Sequence, residues 1–364
     1  MVHIAKTALR DATLALLALP TFVFLLTWVK PAFSIPAVLL LAVGCYCGLS
    51  RERRRRRTDQ KTDMPAASDE QIYLVSVPTL LVIAACALLW TFFAGQGGYF
   101  FQSEDHFGRN AVLHDLLSNA WPVRFEGTSY ALTYYLNYWI VPAALGKAGA
   151  ALLALDPFAV ANAALFCQTA VLLALLFFMM SAYFKIRGWV TCSVMLGIFV
   201  FFRGMDILGA ALNNDLYHQI EWWMDTFQFS SHTTALFWVY NQAVPAWLVT
   251  MLLLQERDVR RFALLGMLLL PYSPMPLVGV AAFMAGLAAR FAVSDARERG
   301  MVAAAKGMLR DALSPANACA LAALLPIFYC YFASNRAVTR YPFRFDIFLP
   351  AFGPTVAISR LLLF

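Results

Sequence analysis

The chain repeatedly presents apolar stretches long enough to cross a lipid bilayer, and this feature limits the possible fold more than any other. A transmembrane α-helix needs about 20 consecutive, mostly apolar residues. Hydrophobic residues make up 61% of the 364 positions and charged residues only 13%, whereas about a quarter of a soluble domain is charged. The sequence therefore predicts an all-α polytopic membrane protein, with one transmembrane domain over 1–364. The long apolar stretches lie at about 12–29, 32–49, 73–94, 157–184, 188–204, 232–254, 315–333 and 347–364.

Positive charge beside these stretches predicts their direction. Residues 51–57 contain six arginines and one glutamate, and basic segments next to a membrane span are retained on the cytoplasmic side. We therefore expect a cytoplasmic basic loop at 51–71 and a cytoplasmic N-terminus. A binding site for anionic lipids is the functional alternative for this run. The net charge of +7 is explained by such loops and does not indicate a nucleic-acid partner.

Alternation from this anchor predicts about ten spans and three outer loops. The outer loops are expected at 95–156, 205–231 and 334–346. The final apolar run reaches the end of the sequence, which leaves open a further C-terminal region.

Two segments need separate treatment in this topology. If 131–146 crossed the membrane fully, Lys185 and Arg187 would be placed on the outer side. We therefore expect an interfacial or partly inserted helix there, outside the bilayer core. Prolines interrupt the apolar segment 262–292, and basic residues flank both of its ends. This pattern predicts a hairpin with two short arms or a re-entrant pair, whose tip points outward or into the protein interior.

The first outer loop carries an acidic pair, Glu104 and Asp105, at the start of a segment with helical periodicity. The expected amphipathic helix would share one broad apolar face and lie at the membrane surface. Carboxylates at a helix N-terminus also have a purely structural use, because they meet exposed N–H groups and the helix dipole. An ion pair between Asp105 and Arg109, four residues apart, is a second structural alternative. The apolar face consists of Phe107, Val112, Leu113, Leu116 and Leu117.

The sequence that follows carries a resemblance to a known family. Asn119-Ala120-Trp121-Pro122-Val123 closes the helix, and Tyr134-Tyr135-Leu136-Asn137-Tyr138-Trp139 comes next. This succession resembles the first outer loop of GT-C glycosyltransferases, particularly the aminoarabinose-transferase and protein O-mannosyltransferase branches. The resemblance covers about 73–190, roughly a third of the chain. Three features depart from that pattern: the acidic pair is Glu-Asp rather than Asp-Glu, the Lys-Pro-Pro element is missing, and two additional spans precede the loop.

The resemblance implies transfer of a sugar from a polyprenyl-phosphate donor to a hydroxyl of a lipid, glycan or protein acceptor. The reaction would take place on the outer face of a bacterial inner membrane. It needs a general base, either Asp105 or Glu104, and cationic groups or a metal ion to stabilise the leaving phosphate. The cofactor stays open, with a divalent metal ion as one option. The expected substrate-binding residues are Arg109, His106, Tyr134, Tyr135, Arg203, Asn241, Gln242, Arg340 and Arg344.

Several of these residues have alternative interpretations. Asn241 and Gln242 lie in a span, where amides either hydrogen-bond across helices or line a cavity. The basic third outer loop is either a phosphate ligand or an ordinary exposed loop. In the second outer loop, spacing allows three residues to share a helix face as metal ligands, although a solvated loop explains them as well. These three residues are Asp215, His218 and Glu221.

Three other function classes compete with a glycosyltransferase. A transporter or flippase of envelope glycans typically has inverted repeats and charges deep within its spans. Here the ionisable residues concentrate in outer loops and the sequence shows no repeat, which favours the enzyme. A polysaccharide polymerase would use the same loops and similar lipid-linked substrates. A membrane scaffold or accessory subunit is the non-catalytic alternative.

Overall fold

The computed structural model describes residues 1–59, 72–124, 132–202 and 230–333. Over these ranges the chain is almost entirely helical, with one short two-stranded sheet. The strands are β1 (Val2–Ala5) and β2 (Ile72–Val75), and the helices are α1 (Lys6–Trp28), α2 (Pro31–Asp59), α3 (Val77–Phe93), α4 (Glu104–Ser118), α5 (Asn137–Leu153), α6 (Pro157–Tyr183), α7 (Trp189–Val200), α8 (His232–Leu254), α9 (Phe262–Leu269), α10 (Pro274–Arg299), α11 (Met301–Ala312) and α12 (Pro315–Ala333).

Six of the described helices are long and apolar enough to cross a membrane: α1, α2, α6, α8, α10 and α12. Two shorter apolar helices, α3 and α7, accompany them. The predicted all-α, multi-pass architecture is confirmed at this level, but the described ranges contain fewer long spans than the ten expected. The last expected span, 347–364, and the third outer loop, 334–346, lie outside the described residues.

Near the N-terminus, helix boundaries differ from the prediction in two places. The expected span at 73–94 begins only at Val77, because Ile72–Val75 pairs antiparallel with Val2–Ala5. Ser76 caps α3, and its hydroxyl accepts a hydrogen bond from the Thr79 amide at 3.3 Å. In addition, α2 continues to Asp59, so the arginines of 51–57 lie on a helical backbone rather than in a loop. Arginine has a high helix propensity, which agrees with this extension.

Two side chains attach the start of α3 to the connection between α6 and α7. The Tyr73 hydroxyl donates to the Ile186 carbonyl at 2.6 Å, and the Thr79 hydroxyl donates to the Arg187 carbonyl at 3.0 Å. The connection contains Lys185 and Arg187, and the segment that it contacts follows the basic region predicted at 51–71. The two segments therefore lie at the same end of the described bundle.

The remaining basic segments meet at the same end of the bundle. Arg10 near the start of α1 pairs with Glu256 at 3.0 Å, and Arg261 pairs with the same carboxylate. Arg260 pairs with Asp311 at 2.6 Å, which links the α8–α9 connection to the end of α11. We call this surface the basic end; it comprises residues 2–10, 72–76, 184–188, 255–261 and 311–314.

α5 begins inside the bundle. The Asn137 side-chain amide donates to the hydroxyl of Thr21, in the second half of α1, at 2.8 Å. The Tyr138 hydroxyl lies 3.0 Å from the hydroxyl of Thr169, in the middle of α6. Further along, Gly146 packs so closely on the first turn of α6 that a Cβ there would lie 2.5 Å from the Pro157 carbonyl. The helix therefore runs along half the length of α6. It starts six residues later than the predicted 131–146 segment, and interior partners bind the Asn137 amide nitrogen and the Tyr138 hydroxyl of its first turn.

The proline-interrupted segment forms an asymmetric hairpin. Its first arm, α9, has eight residues and is about 12 Å long, too short to cross a bilayer. The tip residues Tyr272 and Ser273 are buried, and the Tyr272 hydroxyl donates to the Leu17 carbonyl of α1 at 3.2 Å. The tip therefore points into the protein interior, one of the two predicted options. The expectation of two short arms is wrong for the second arm, because α10 has 26 residues.

Asn317 of α12 holds the start of α9 in place. Its side-chain carbonyl accepts hydrogen bonds from the amides of Ala263 and Leu264, at 3.0 and 3.2 Å. Its side-chain amide donates to the carbonyls of Val259 and Ala312, at 2.9 and 3.0 Å. A helix N-terminus has unsatisfied N–H groups, and here a side chain from a neighbouring helix satisfies them.

Candidate functional site

His106 ties the start of α4 to the end of α3, at the end of the bundle opposite the basic end. Its Nδ1 accepts from the Ser103 amide at 3.3 Å, and its Nε2 lies 3.3 Å from the Ala94 carbonyl. These partners fit a neutral imidazole protonated on Nε2. Burial lowers the pKa of His106, and the hydrogen bond to Ala94 opposes that effect. The intervening turn needs Gly95, whose φ is 74° and where a Cβ would lie 2.5 Å from the Phe101 carbonyl.

Arg109 follows His106 by one helical turn and is also turned inward. Only 8% of the residue is exposed, yet its Nε and Nη1 have no hydrogen-bond partner in the described part of the chain. The guanidinium lies over the ring of Tyr240, 5.7 Å from the ring centroid. Buried charges are normally paired, because an unpaired one loses its hydration without compensation. Arg109 is therefore a buried cation with two donor nitrogens that no described residue engages.

Tyr240 is the centre around which the other side chains gather. Its hydroxyl accepts a hydrogen bond from the Trp139 indole at 3.0 Å, and its ring also packs near His106, at 6.4 Å between centroids. We call His106, Arg109, Trp139 and Tyr240 the Arg109 cluster. Tyr240 lies eight residues after the start of α8, so the cluster is about 12 Å along that helix.

A distortion of α8 accompanies the cluster. Val239 has φ −134° and ψ 38°, outside the helical range, immediately before Tyr240. Asn241 follows, fully buried, and neither its side-chain oxygen nor its nitrogen has a partner among the described residues. The predicted hydrogen bond of this amide across helices is therefore absent from the described part. Its unused donors and acceptor agree better with the cavity alternative.

Aromatic residues before α5 extend the cluster. Tyr134 stacks near Trp139, with 5.8 Å between centroids, and near Tyr135 at 5.1 Å. The backbone of Tyr134 is fixed by Tyr331 of α12, whose hydroxyl accepts from the Tyr134 amide at 3.0 Å. Tyr135 instead packs edge-on against Phe332, at 6.1 Å. Tyr134 therefore joins the Arg109 cluster, and Tyr135 lies beside it.

The two carboxylates expected to act as a base lie at the first turn of α4. Glu104 and Asp105 are both exposed. Among the described ion pairs none joins Asp105 to Arg109, because Arg109 points into the interior and Asp105 stays in solvent. Four residues separate the two, so they share one side of the helix. The structure thus places an exposed carboxylate one turn from a buried cation that makes no ion pair with any described residue.

The buried face of α4 differs from the predicted apolar face at Phe107. Val112, Leu113, Leu116 and Leu117 are buried as expected, but Phe107 is 68% exposed. His106 and Arg109 take the interior positions in that turn. An apolar pattern could not have found this, because the polar residues are the buried ones.

Other expected site residues divide into those placed elsewhere and those outside the described ranges. Gln242 is half-buried on α8. The remaining residues, Arg203, Asp215, His218, Glu221, Arg340 and Arg344, lie outside the described residues, as does most of the second outer loop. Within the described ranges, no group of three His, Cys, Asp or Glu side chains could hold a metal ion.

Two cluster members were missed as binding residues from the sequence. Tyr240 directly precedes Asn241 and Gln242. Three consecutive side chains with hydrogen-bonding groups inside an apolar span were the sequence signal that could have identified Tyr240. Trp139 belonged to a segment interpreted as interfacial. Comparisons of the chain with models of protein families, with curated proteins and with solved structures found no match.

Proposed function

We propose that the chain is a GT-C-type membrane glycosyltransferase that moves a sugar from a polyprenyl-phosphate donor to an acceptor hydroxyl. The observation that carries this proposal is the buried guanidinium of Arg109, whose Nε and Nη1 find no hydrogen-bond partner among the described residues, one turn from the exposed carboxylate of Asp105. A lipid-phosphate donor needs a cation for its phosphate and the reaction needs a base. α4 offers both.

Arg109 is the proposed phosphate ligand. Its planar guanidinium is always charged and matches phosphate oxygens geometrically. The Tyr240 ring lies against one face of the cation and does not engage its N–H groups, whereas an acidic partner would occupy them. In surroundings of low dielectric, such a donor stabilises the negative charge that develops on a leaving phosphate more strongly than it would in water.

Asp105 is the proposed general base, because it shares a helix side with Arg109; Glu104 is the alternative. The carboxylate takes the proton of the acceptor hydroxyl while the hydroxyl oxygen bonds to the anomeric carbon of the donor sugar. The bond between that carbon and the phosphate oxygen breaks, and its electron pair leaves with the polyprenyl phosphate. Arg109 then holds the anionic product.

An exposed aromatic surface next to the cluster would accommodate the polyprenyl chain. Tyr99, Phe100, Phe101 and Phe107 are each substantially exposed around the start of α4. Phe101 stacks with Phe237 at 6.3 Å between centroids. A bare aromatic surface of this kind is typical of residues that face lipid or an apolar ligand. A donor could therefore keep its tail in lipid while its phosphate reaches Arg109.

The same proposal includes the membrane arrangement predicted from charge. In this arrangement the chain has about ten spans, its N-terminus is in the cytoplasm, and the Arg109 cluster lies near the outer face of a bacterial inner membrane. The collection of basic segments at one end of the described bundle supports this orientation, because such segments are retained on the cytoplasmic side. Lipid, glycan and protein acceptors all remain compatible with the exposed carboxylates.

Transfer by the purified protein in nanodiscs tests the proposal. Donors are polyprenyl phosphates carrying different sugars, and the measurement is consumption of donor together with release of polyprenyl phosphate. We expect Asp105→Asn and Arg109→Gln to lower turnover by at least about a hundredfold, the usual range for losing a general base or a charge-stabilising group. Asp115→Asn, which removes a carboxylate from the same helix, is the matched control and keeps full activity.

The outcomes separate the competing functions. Loss of activity in Glu104→Gln but not in Asp105→Asn would move the base by one residue. Full activity in both would remove the proposed base. Passage of a lipid-linked sugar across proteoliposomes without any donor consumption would support the transporter or flippase instead, and chain elongation would support the polymerase.

A further inference from the structure

α11 connects the end of α10 to the start of α12 at the basic end, far from the Arg109 cluster. Gly300, with φ 84°, makes the turn into it. Its other end is fixed by the Asp311–Arg260 ion pair at 2.6 Å and by the Ser314 hydroxyl, which donates to the Arg260 carbonyl. With 12 residues it is about 18 Å long. The helix therefore joins two candidate spans without itself being able to cross a membrane.

Large apolar side chains of this connection are left uncovered. Met301, Val302, Leu309 and Leu313 are between 63% and 81% exposed. At 3.6 residues per turn they fall within about 120° of one another around the helix axis. Only Ala304 is buried on this helix, and it lies outside that arc. A short helix with such a face, between two membrane-spanning helices, has lipid within reach of its apolar side.

Basic residues border this apolar face. Lys306 and Arg310 are exposed and follow the apolar arc around the axis. The single acid of 301–313 is Asp311, and its carboxylate is held by Arg260 with a weaker contact to the Arg310 Nε at 3.4 Å. The exposed edge is therefore cationic. Amphipathic helices with basic residues beside their apolar face lie in the membrane interface and are attracted to anionic lipids.

We propose that α11 lies in the membrane interface at the basic end, with its apolar face among acyl chains and with Lys306 and Arg310 binding the phosphates of anionic phospholipids. The preference for anionic over zwitterionic lipid is about fivefold for each basic residue, equivalent to about 1 kcal/mol. This site is independent of the proposed glycosyl transfer.

Amide hydrogen exchange of the whole protein in nanodiscs tests the proposal. Exchange over 301–313 is compared between phosphatidylcholine alone and phosphatidylcholine mixed with phosphatidylglycerol. We expect slow exchange in both, and slower exchange by at least about fivefold in the anionic mixture. Lys306→Gln/Arg310→Gln loses the anionic increment. Val302→Ser/Leu309→Ser loses protection in both lipids.

A matched control removes two charges elsewhere. Lys30 and Lys185 are both exposed, and Lys30→Gln/Lys185→Gln leaves exchange over 301–313 unchanged. Rapid exchange of 301–313 in wild-type protein in both lipids would overturn the interfacial placement. Equal exchange in the two lipids, or an anionic increment that survives Lys306→Gln/Arg310→Gln, would overturn the phosphate site.

Discussion

Replacing Arg109 by methionine should make the ligand-free protein more stable while removing its ability to bind a lipid phosphate. Arg109 carries a charge into the bundle, and within the described ranges its Nε and Nη1 make no hydrogen bond; a buried unpartnered donor costs about 1–3 kcal/mol, more if charged. Methionine has a similar length, is apolar and adapts to irregular spaces. Most residues at a packed interior position would give the opposite result on truncation.

The expected magnitude follows from two opposing contributions. Substitution of buried ionic groups by apolar side chains of similar volume is worth up to about 1–4 kcal/mol. The cation–π contact with Tyr240, at 5.7 Å, is lost and subtracts about 0.5–2 kcal/mol. We therefore expect Arg109→Met to raise the free energy of unfolding by about 1–2 kcal/mol in the absence of ligand.

The assay is thermal unfolding in nanodiscs, followed by tryptophan fluorescence, with and without added polyprenyl phosphate. Ligand raises the unfolding temperature of a protein that binds it only in the folded state. Wild-type protein should therefore gain stability with ligand, and Arg109→Met should not. Arg187→Met, at an exposed arginine, is the control and should change neither quantity. The reasoning is refuted if Arg109→Met is destabilising without ligand and still gains stability from polyprenyl phosphate.

Three further predictions concern pH and packing. Because the pKa of His106 is lowered in the folded protein, the unfolded chain binds this proton more readily. The contribution of His106 to stability is therefore present above the ordinary histidine pKa of 6.5 and is lost as pH falls below it, so thermal unfolding scans should show a smaller decline at low pH in His106→Gln than in wild type. Asn317→Asp keeps the two accepted hydrogen bonds and loses the two donated ones, and should lower the free energy of unfolding by about 2–4 kcal/mol, measured by denaturant titration, with Asn317→Leu lower still. Gly146→Ala should destabilise by about 1–3 kcal/mol, because its Cβ would meet a carbonyl at 2.5 Å. Gly279→Ala, on a helix with no heavy atom within 4 Å of the added Cβ, should be neutral or slightly stabilising in the same titration.

Much of the fold could be predicted because lipid imposes simple requirements on sequence. Apolar length located five of the six long helices, all except α10, and charge bias assigned 184–188 and 255–261 to one side, which agrees with their common place at the basic end of the described bundle. α4 was expected from Asp105 onward and begins at Glu104. These features depend on local composition, which a single sequence displays directly.

The missed features depend on contacts between distant segments. The interior start of α5 depends on two partners that are distant in sequence. Asn137 contacts Thr21, more than 100 residues earlier in the chain, and Tyr138 contacts Thr169, more than 30 residues later. β2 interrupts an apolar run only because Val2–Ala5 is present to pair with it. Hydropathy treats each segment alone and so assigned 73–94 to one span, while charge bias and aromatic content, which assigned 131–146 to the interface, say nothing of partners on other helices. The burial of Arg109 was hidden for the same reason, since its partner Tyr240 lies on another helix.

The separation of Arg109 from Asp105 is itself an argument about function. An ion pair between them was available at helical spacing, and it would have lowered the cost of burying the guanidinium. Instead, the cation lies over an aromatic ring that attracts it without engaging its N–H groups, and the carboxylate stays in water. A paired arginine would be a poor phosphate ligand, and a paired aspartate would be a weaker base. Their separation costs stability and leaves both groups available for the proposed roles, Arg109 as the ligand of a lipid phosphate and Asp105 as the base.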